Sequence, residues 1–576
     1  FRLERRMKSS WLAVTLVCLV AFQLALVTEA KTRSGVRPSQ TLFAALTGAA
    51  PQATGDGGGV NCAACTFLIA LGEQYADIHG KVIDKAFYEL CSFLPGALRN
   101  VCDDAVTIYM PKIINAIELK QTPDRVCQEL GVCTNLTCSL FPPPKKSMPH
   151  GFTSHIKIKT PAGWDPAGWI DRFIDNHEPF IDLDKDDYST YSTLRGTDWR
   201  GKDCDDTRDY IYPGRRNSTQ PLDVDFNCNG IYGENEKKQS IESLLCSGTP
   251  QYGTAILGDS AAAHFHAPPQ YITAADITAT TYDDLINILA NEFDWPMMSA
   301  TTGYTYNDWT GHPRGPMLST YEYIRERNLC THRDYQNIGV NGARTSSMAN
   351  SIMYGFHRDQ LNDFPVILEY ALVGNDVCNG HPGLGHMTTP QEFYTNVVAA
   401  MNYLDTVLPK GSFVVFMGLA EGRVLWDAMH DRIHPIGKLR NDVTYADLYD
   451  YLNCLEISPC WGWLNSDSYW RNQTSYRALN LSLTYLEVIK NNHYKNFNMT
   501  YTNCPVGAIM DEWISQGGEA WELIEPVDGF HPNQIANALI AQHQWKLYQE
   551  KYPYLVPPIN PNNAEIKKLF GDQGGY

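Results

Sequence analysis

Hydrophobic positions change period along this chain, and the changes mark where its elements fall. From Trp11 to Val27 apolar residues run almost without interruption behind a basic segment. Between Val101 and Ile117 they recur three and four apart, at Val106, Tyr109, Met110, Ile113, Ile114 and Ile117, which predicts a helix with one apolar face. Pro111 is expected to kink it. Past residue 250 short apolar runs take over: Thr254 to Leu257, Pro365 to Val373 and SFVVFMGL from Ser412, each the length of a buried strand. Helical stretches separate and follow them. In TTPQEFYTNVVAAMNYL, Thr389, Pro390 and Glu392 make a helix start, and a last amphipathic stretch carries Ile535, Leu539 and Trp545. Strands alternating with helices predict an α/β domain, a parallel sheet with helices on both faces. Active residues are expected at the carboxyl ends of its strands.

The first apolar run reads as a secretory signal peptide with a small residue, Ala30, at the cleavage point and Met7 as the expected start. A signal anchor is the alternative, disfavoured by the shortness of the run. The mature protein is then expected outside the cell or in lysosome-like vesicles, where its 16 cysteines become disulfide candidates. Sequons at Asn135, Asn217, Asn472, Asn480 and Asn498 agree with that compartment. At 576 residues, 44% hydrophobic and 19% charged, the chain is globular and too long for one core. A formal charge of −18 without clustered Lys and Arg excludes a general nucleic-acid binder.

Six cysteines, Cys62, Cys65, Cys91, Cys102, Cys127 and Cys133, bracket the helical stretch around Val106. A module this small buries too little apolar surface to be secure without cross-links. The pattern resembles the saposin B family, which implies pairs Cys62–Cys133, Cys65–Cys127 and Cys91–Cys102. It also implies helices that open around acyl chains, with Phe67, Phe93 and Leu94 as candidate lining; a purely structural helical appendage is the alternative. Outside the signal segment nine cysteines remain, 138, 204, 228, 246, 330, 378, 454, 460 and 504, an odd number that cannot all pair internally. Cys138 precedes the stiff FPPPKK segment, Phe141 to Lys146, an expected proteolytic site. If the chain is cut there, a disulfide from Cys138 would hold the small and large parts together as two subunits.

From Asp182 to Gly230 the chain is rich in acids: DLDKDDYST, then GTDWRGKDCDDTRDYIYPGR, then DVDFNCNG. Alternating Asp residues on a turning backbone set oxygens around a common point, as in loops that hold hard cations. Unneutralised, carboxylates this dense would oppose compact folding. The pieces resemble the Asp-rich calcium repeats of thrombospondin-type proteins, which implies structural Ca2+. Candidate ligands are Asp182, Asp184, Asp186, Tyr188, Asp198, Asp203, Asp205, Asp206, Asp223, Asp225, Asn227 and Asn229. EF-hand spacing and the His/Cys spacing of zinc sites are absent here. A solvated acidic loop is the alternative.

The run TAILGDSAAAHFH sets Ser260 at a strand-to-helix turn, which exposes the hydroxyl near helix N-terminal amides. Downstream come Gly342 in NIGVNGARTSS, Asn375 in LVGNDVCNG, and Asp528 and His531 in PVDGFHPN. Four such blocks in this order, over about Gln251 to Tyr548, resemble the GDSL/SGNH serine hydrolases, whose core is a flavodoxin-like sheet. The resemblance implies Ser260 as nucleophile, His531 as its base, and Asp528 as the group that orients and charges the imidazole. It also implies the Ser260 and Gly342 N–H groups and the Asn375 amide as oxyanion donors. His264 and His266 are expected to be pocket or core residues. Ala261 to Ala263 depart from the family's pattern, which has Leu or Ile after GDS.

A saposin module joined through an Asp-rich segment to an SGNH domain resembles, as an architecture, the lipopolysaccharide-deacylating hydrolases. That implies removal of secondary fatty acyl chains from lipid A through an acyl-serine intermediate, with transient contact to a membrane or micelle surface. A broader phospholipase or acyl esterase, and a lipid-presenting protein with a vestigial triad, are the alternatives. The expected division is a signal peptide over 1–30, a propeptide or linker over 31–58, a saposin-like domain over 59–138 and a linker over 139–160. The calcium segment (161–250) and the hydrolase domain (251–576) follow.

Overall fold

The computed structural model describes residues 58–135, 137–142, 177–216, 222–305, 311–419 and 421–576. The expected signal peptide, most of the propeptide, the segment holding the expected cut, and Asn217 lie outside the described residues.

Helices α1 (Gly59–His79), α2 (Ile83–Ser92), α3 (Gly96–Glu118) and α4 (Pro123–Glu129) build the N-terminal unit. Helix α3 runs on unbroken through Pro111. Its apolar face is buried at Val106, Met110 and Ile113, as the period of three and four requires. Disulfides join Cys62 to Cys133, Cys65 to Cys127 and Cys91 to Cys102.

The remainder is built on β1 (Gly253–Gly258), β2 (Tyr335–Gly339), β3 (Val366–Ala371), β4 (Ser412–Gly418) and β5 (Phe497–Asn503). All pair in parallel in the order β2-β1-β3-β4-β5, the doubly wound order of a flavodoxin-like sheet. Helices α5 (Ser260–Ala263), α6 (Thr320–Arg327), α7 (Pro390–Val407), α8 (Tyr445–Cys454), α9 (Ser468–Asn491), α10 (Val506–Ser515) and α11 (Gln534–Lys551) frame it. Successive strand residues face opposite sides. Ile367 and Val415 therefore pack with Ile324, Trp545 and Tyr548 of α6 and α11. Leu368, Val414 and Phe416 pack on the other face with Val397, Met401 and Tyr485 of α7 and α9. The start of α7 is a capping box in which Thr389 and Glu392 satisfy each other's backbone N–H groups.

The N-terminal unit shares that second core. Thr66 Oγ1 lies 2.9 Å from Tyr451 Oη, Gln74 donates to the Ile436 carbonyl at 2.7 Å, and Arg440 pairs with Glu73 and Asp77. Phe67 packs against the same apolar cluster, its ring 6.2 Å from His434 of the hydrolase part. Phe93 and Leu94 pack on a cluster containing Tyr271 and Trp295. Phe67 thus serves the contact between the two parts, whereas the Phe93 ring also lies edge-on to Tyr75 of α1, within the small unit, at 6.2 Å. Of the nine further cysteines, Cys138 pairs with Cys454, Cys204 with Cys228, Cys246 with Cys330 and Cys378 with Cys460, leaving Cys504 free. The first of these crosses from the N-terminal unit to α8.

A tryptic cut after Lys145 or Lys146 should therefore leave one species on a non-reducing gel and two after reduction. The Cys454→Ser protein, cut in the same way, should give two without reductant.

Candidate active site

Strand β1 ends at Gly258, and the chain turns at once into α5. Asp259 caps that helix, its Oδ1 accepting from the Ala261 N–H at 3.0 Å. Gly258 has no room for a side chain, since a Cβ would lie 2.4 Å from that of Ala262. The turn presents Ser260, whose Oγ lies 2.7 Å from His531 Nε2. His531 Nδ1 lies 2.5 Å from Asp528 Oδ2, and Asp528 Oδ1 also accepts from the N–H groups of Phe530 and His531. All three side chains are buried. This is the order of contacts a hydroxyl nucleophile requires: a base at hydrogen-bond distance and a third group orienting the base.

Asn375 sits just past the end of β3, buried in the short helix Gly374–Val377. It faces the same cavity as Ser260 and His531. Among the described residues its side-chain amide donates to no protein acceptor. Gly342 lies on the loop after β2 with φ of 76°, a left-handed conformation suited to glycine. It stands outside the cavity wall. The neighbouring Asp376 ties these two loops together, accepting from the Thr345 N–H and hydroxyl at 3.0 and 2.7 Å.

The cavity, about 180 Å³, runs along the carboxyl ends of β1, β3, β4 and β5. Ile256, Met417, Leu419, Trp463, Val506 and Ile509 make much of its wall, an apolar surface beside the nucleophile. Burial pushes the Asp259 carboxyl up to about 6. It pushes the His264 imidazole down to about 3, which keeps that ring neutral as a core residue. Residues that sequence reasoning missed include Phe265, whose ring centre lies 4.8 Å from that of His531. Glu525 is another, at 2.7 Å from His266. No spacing announces either, because the contacts span more than 250 residues.

The acidic segment sorts its carboxylates. Oxygens of Asp182, Asp184 and Asp206 lie within 4.8 Å of one another, as do those of Asp184, Asp186 and Asp203. Both oxygens of Asp184, and one each of Asp186 and Asp203, are buried without a hydrogen-bond partner. Burial, with the neighbouring acids, pushes Asp186 up to about 9 and Asp203 to about 7. Such a set fits a hard cation, which would accept the orphaned oxygens and neutralise the charge.

Other expected ligands fall elsewhere. Asp198 is held by Asn291 and Tyr304, and Asp205 by Arg208, so these two side chains are corrected out of the set. The Tyr188 side chain points into the core, stacked on Tyr212 with its hydroxyl accepting from Gln336. Asp223 is exposed, and Asp225 caps the N–H groups of Asn229 and Gly230. Asn227 and Asn229 donate their side-chain amides to Glu242 at 2.6 and 3.2 Å. A third grouping, Asp203 with Cys204 and Cys228, offers no thiolate because the cysteines are disulfide-bonded. Of the sequon asparagines, Asn472 and Asn498 are exposed, and Asn135 and Asn480 half-exposed.

Replacing Asn375 by Ala should lower ester-hydrolysis kcat by ~10²–10³-fold if its amide stabilises an oxyanion. Asp528→Asn should cost ~10⁴-fold by releasing the imidazole from its tautomer. Steady-state kinetics on a soluble ester would measure both.

The saposin-like domain family matches residues 61–162. Saposin-C of Cavia porcellus is 29% identical over 77 residues, 13% of this chain and 94% of that protein. The acyloxyacyl hydrolase of Homo sapiens is 38% identical over 543 residues, 90% of this chain and 94% of the human protein. That of Oryctolagus cuniculus is 38% identical over 541 residues, covering 89% and 93%. With both its N-terminal unit and its sheet domain inside these matches, the chain belongs to the acyloxyacyl hydrolase family.

Proposed function

We propose that this protein is a lipid esterase that removes secondary fatty acyl chains, esterified to the hydroxyl of another acyl chain, from the lipid A part of bacterial lipopolysaccharide. The observation that carries the reaction is the Ser260–His531–Asp528 contact series at the wall of an apolar cavity. Membership of the acyloxyacyl hydrolase family supports the ester class, and the saposin-like unit supports a lipid substrate.

In the mechanism, His531 takes the Ser260 proton as Oγ attacks the ester carbonyl. The oxyanion of the tetrahedral intermediate would be met by the N–H groups of Ser260 and Gly342 and the Asn375 amide. As the intermediate collapses, His531 gives its proton to the departing ester oxygen of the underlying acyl chain, which leaves as a hydroxyl, and acyl-Ser260 remains. Water, deprotonated by His531, releases the fatty acid and restores the serine. The apolar wall receives hydrocarbon whose withdrawal from an aggregate otherwise costs ~0.8 kcal/mol per methylene. Exposed Leu68, Val82 and Ile108 of the N-terminal unit are suited to touch the surface of a membrane or micelle.

Calcium is the proposed structural ion, held by Asp182, Asp184, Asp186, Asp203 and Asp206. It would neutralise carboxylates and leave the chemistry to the serine. The seven disulfides among the described residues suit secretion or a lysosome-like vesicle. Cleavage between the two parts would leave subunits joined through Cys138 and Cys454.

Chelation with EGTA should lower Tm by several degrees, and added Ca2+ should restore it. A protein carrying both Asp186→Asn and Asp203→Asn should melt without responding to either, as scanning calorimetry would show. Wild type should release secondary acyl chains from purified lipopolysaccharide, and Ser260→Ala should release none; chromatography of the freed fatty acids reads this directly. Release from phospholipid but not from lipopolysaccharide would replace the substrate assignment. Failure of a fluorophosphonate probe to label Ser260 would remove the mechanism.

A further inference from the structure

The segments that carry Ser260 and His531 meet a second time, six residues beyond the serine and six before the histidine. There His266 Nδ1 lies 2.7 Å from Glu525 Oε2, matching the 2.7 Å between Ser260 Oγ and His531 Nε2. Both members of this second pair are buried, at 6% and 1% exposure. The other ring nitrogen of His266 has no hydrogen-bond partner among the described residues, so Glu525 supplies the ring's hydrogen bond while Trp295 lies edge-on to it at 5.9 Å.

Each member is also built into the segment it steadies. The Glu525 N–H donates to the His531 carbonyl at 2.8 Å, and the Glu525 carbonyl accepts from the Gly529 N–H at 2.9 Å. The loop that hangs Asp528 between them is thereby closed at both ends on Glu525. Gly529 sits there at φ of 61°, where a Cβ would meet Tyr449 Oη at 2.3 Å. On the other side the His266 N–H donates to the Phe293 carbonyl at 2.9 Å, and its carbonyl accepts from the Trp295 indole at 3.0 Å. Phe265 in turn donates its N–H to the Ser260 carbonyl at 3.0 Å and lays its ring near that of His531.

Burial pushes the His266 imidazole down to about 4 and the Glu525 carboxyl well up, and nearby Asp528 raises the latter further. Both shifts favour the uncharged forms of the two groups in this buried place. For stability alone an apolar pair of similar volume would serve as well or better, because a buried imidazole and carboxyl must each be desolvated. What the polar pair adds is direction.

We propose that His266 and Glu525 are positioning residues for the hydrolysis, a clamp that holds the Ser260 segment against the Asp528–His531 loop and fixes the contact used in the first proton transfer. The inference rests on the catalytic reading of Ser260 and His531. A displacement of about 1 Å at such a contact can cost ~10²-fold in rate.

The test uses the full chain and four variants: His266→Ala, His266→Asn, Glu525→Ala and Glu525→Gln. Asn offers an amide nitrogen near the place of imidazole Nδ1, and Gln keeps the shape of Glu with a polar head. Active sites are titrated with a fluorophosphonate, and kcat and KM on a soluble ester are then expressed per labelled serine. That ratio ignores any fraction of protein that failed to fold. The Ala variants should lose ~10–100-fold in kcat and in labelling rate, with KM within about twofold of wild type, and Asn and Gln should recover most of the loss. Wild-type rates in the folded Ala variants would overturn the clamp, as would Asn and Gln variants as slow as the Ala ones. If wild type itself fails to label at Ser260, the catalytic reading falls, a result distinct from either of these.

Discussion

Parallel pairing of β1 with β2 on one side and β3 on the other sets Gly258 opposite both Gly339 and Ala371. Three strands consequently end at one level, and each is followed within a few residues by a block that the proposed reaction uses. Ser260 leaves β1, Gly342 follows β2 and Asn375 follows β3. In an open parallel sheet the loops at the carboxyl ends share one rim, and ligands collect where the strand order reverses, here around β1. A slip of one residue in either register would turn alternate side chains to the wrong face and separate the loops. The apolar cavity follows from the same alignment, since the ends of β4 and β5 extend the rim.

Helix α11 brings the base to this rim. His531 precedes α11, whose Trp545 and Tyr548 pack beneath the sheet. Tyr548 donates to Glu369 of β3, and Thr301 and Thr320 donate to the same buried carboxyl. A central strand seldom buries an acid without full satisfaction, and here three hydroxyls supply it. Packing of α11 and this polar node thus set the height at which His531 meets Ser260.

The acidic segment does more than gather carboxylates. Its Trp199–Gly201 stretch lies along β2, with the Gly201 N–H donating to the Tyr335 carbonyl and the Asn337 N–H to the Trp199 carbonyl. That covers an edge strand whose backbone groups would otherwise be open to another chain. It also explains why β2 is buried throughout while β5, the opposite edge, alternates between buried and exposed residues. A cation drawing the acids together would brace the strand from which the Gly342 loop departs.

Much of this was legible in the chain because it rests on local rules. Cysteine spacing with a period of three and four marks a disulfide-bonded helical unit, and Thr389 with Glu392 marks a helix start. Short apolar runs before GDS and GND mark strands, whatever they pack against. Other features have no local signature. Nothing near Cys138 names Cys454 as its partner, and nothing near Cys504 says that it stays free. Asp198 and Asp186 look alike in sequence, yet one meets Asn291 and Tyr304 while the other joins two carboxylates. His266 becomes Glu525's partner only when two segments from opposite ends of the domain run past each other. Periodicity and capping are set by residues a few positions apart, so the sequence alone determined the elements and the candidate chemistry. Which acids, cysteines and histidines meet depends on where distant segments return in space, and only the packed tertiary structure decided that.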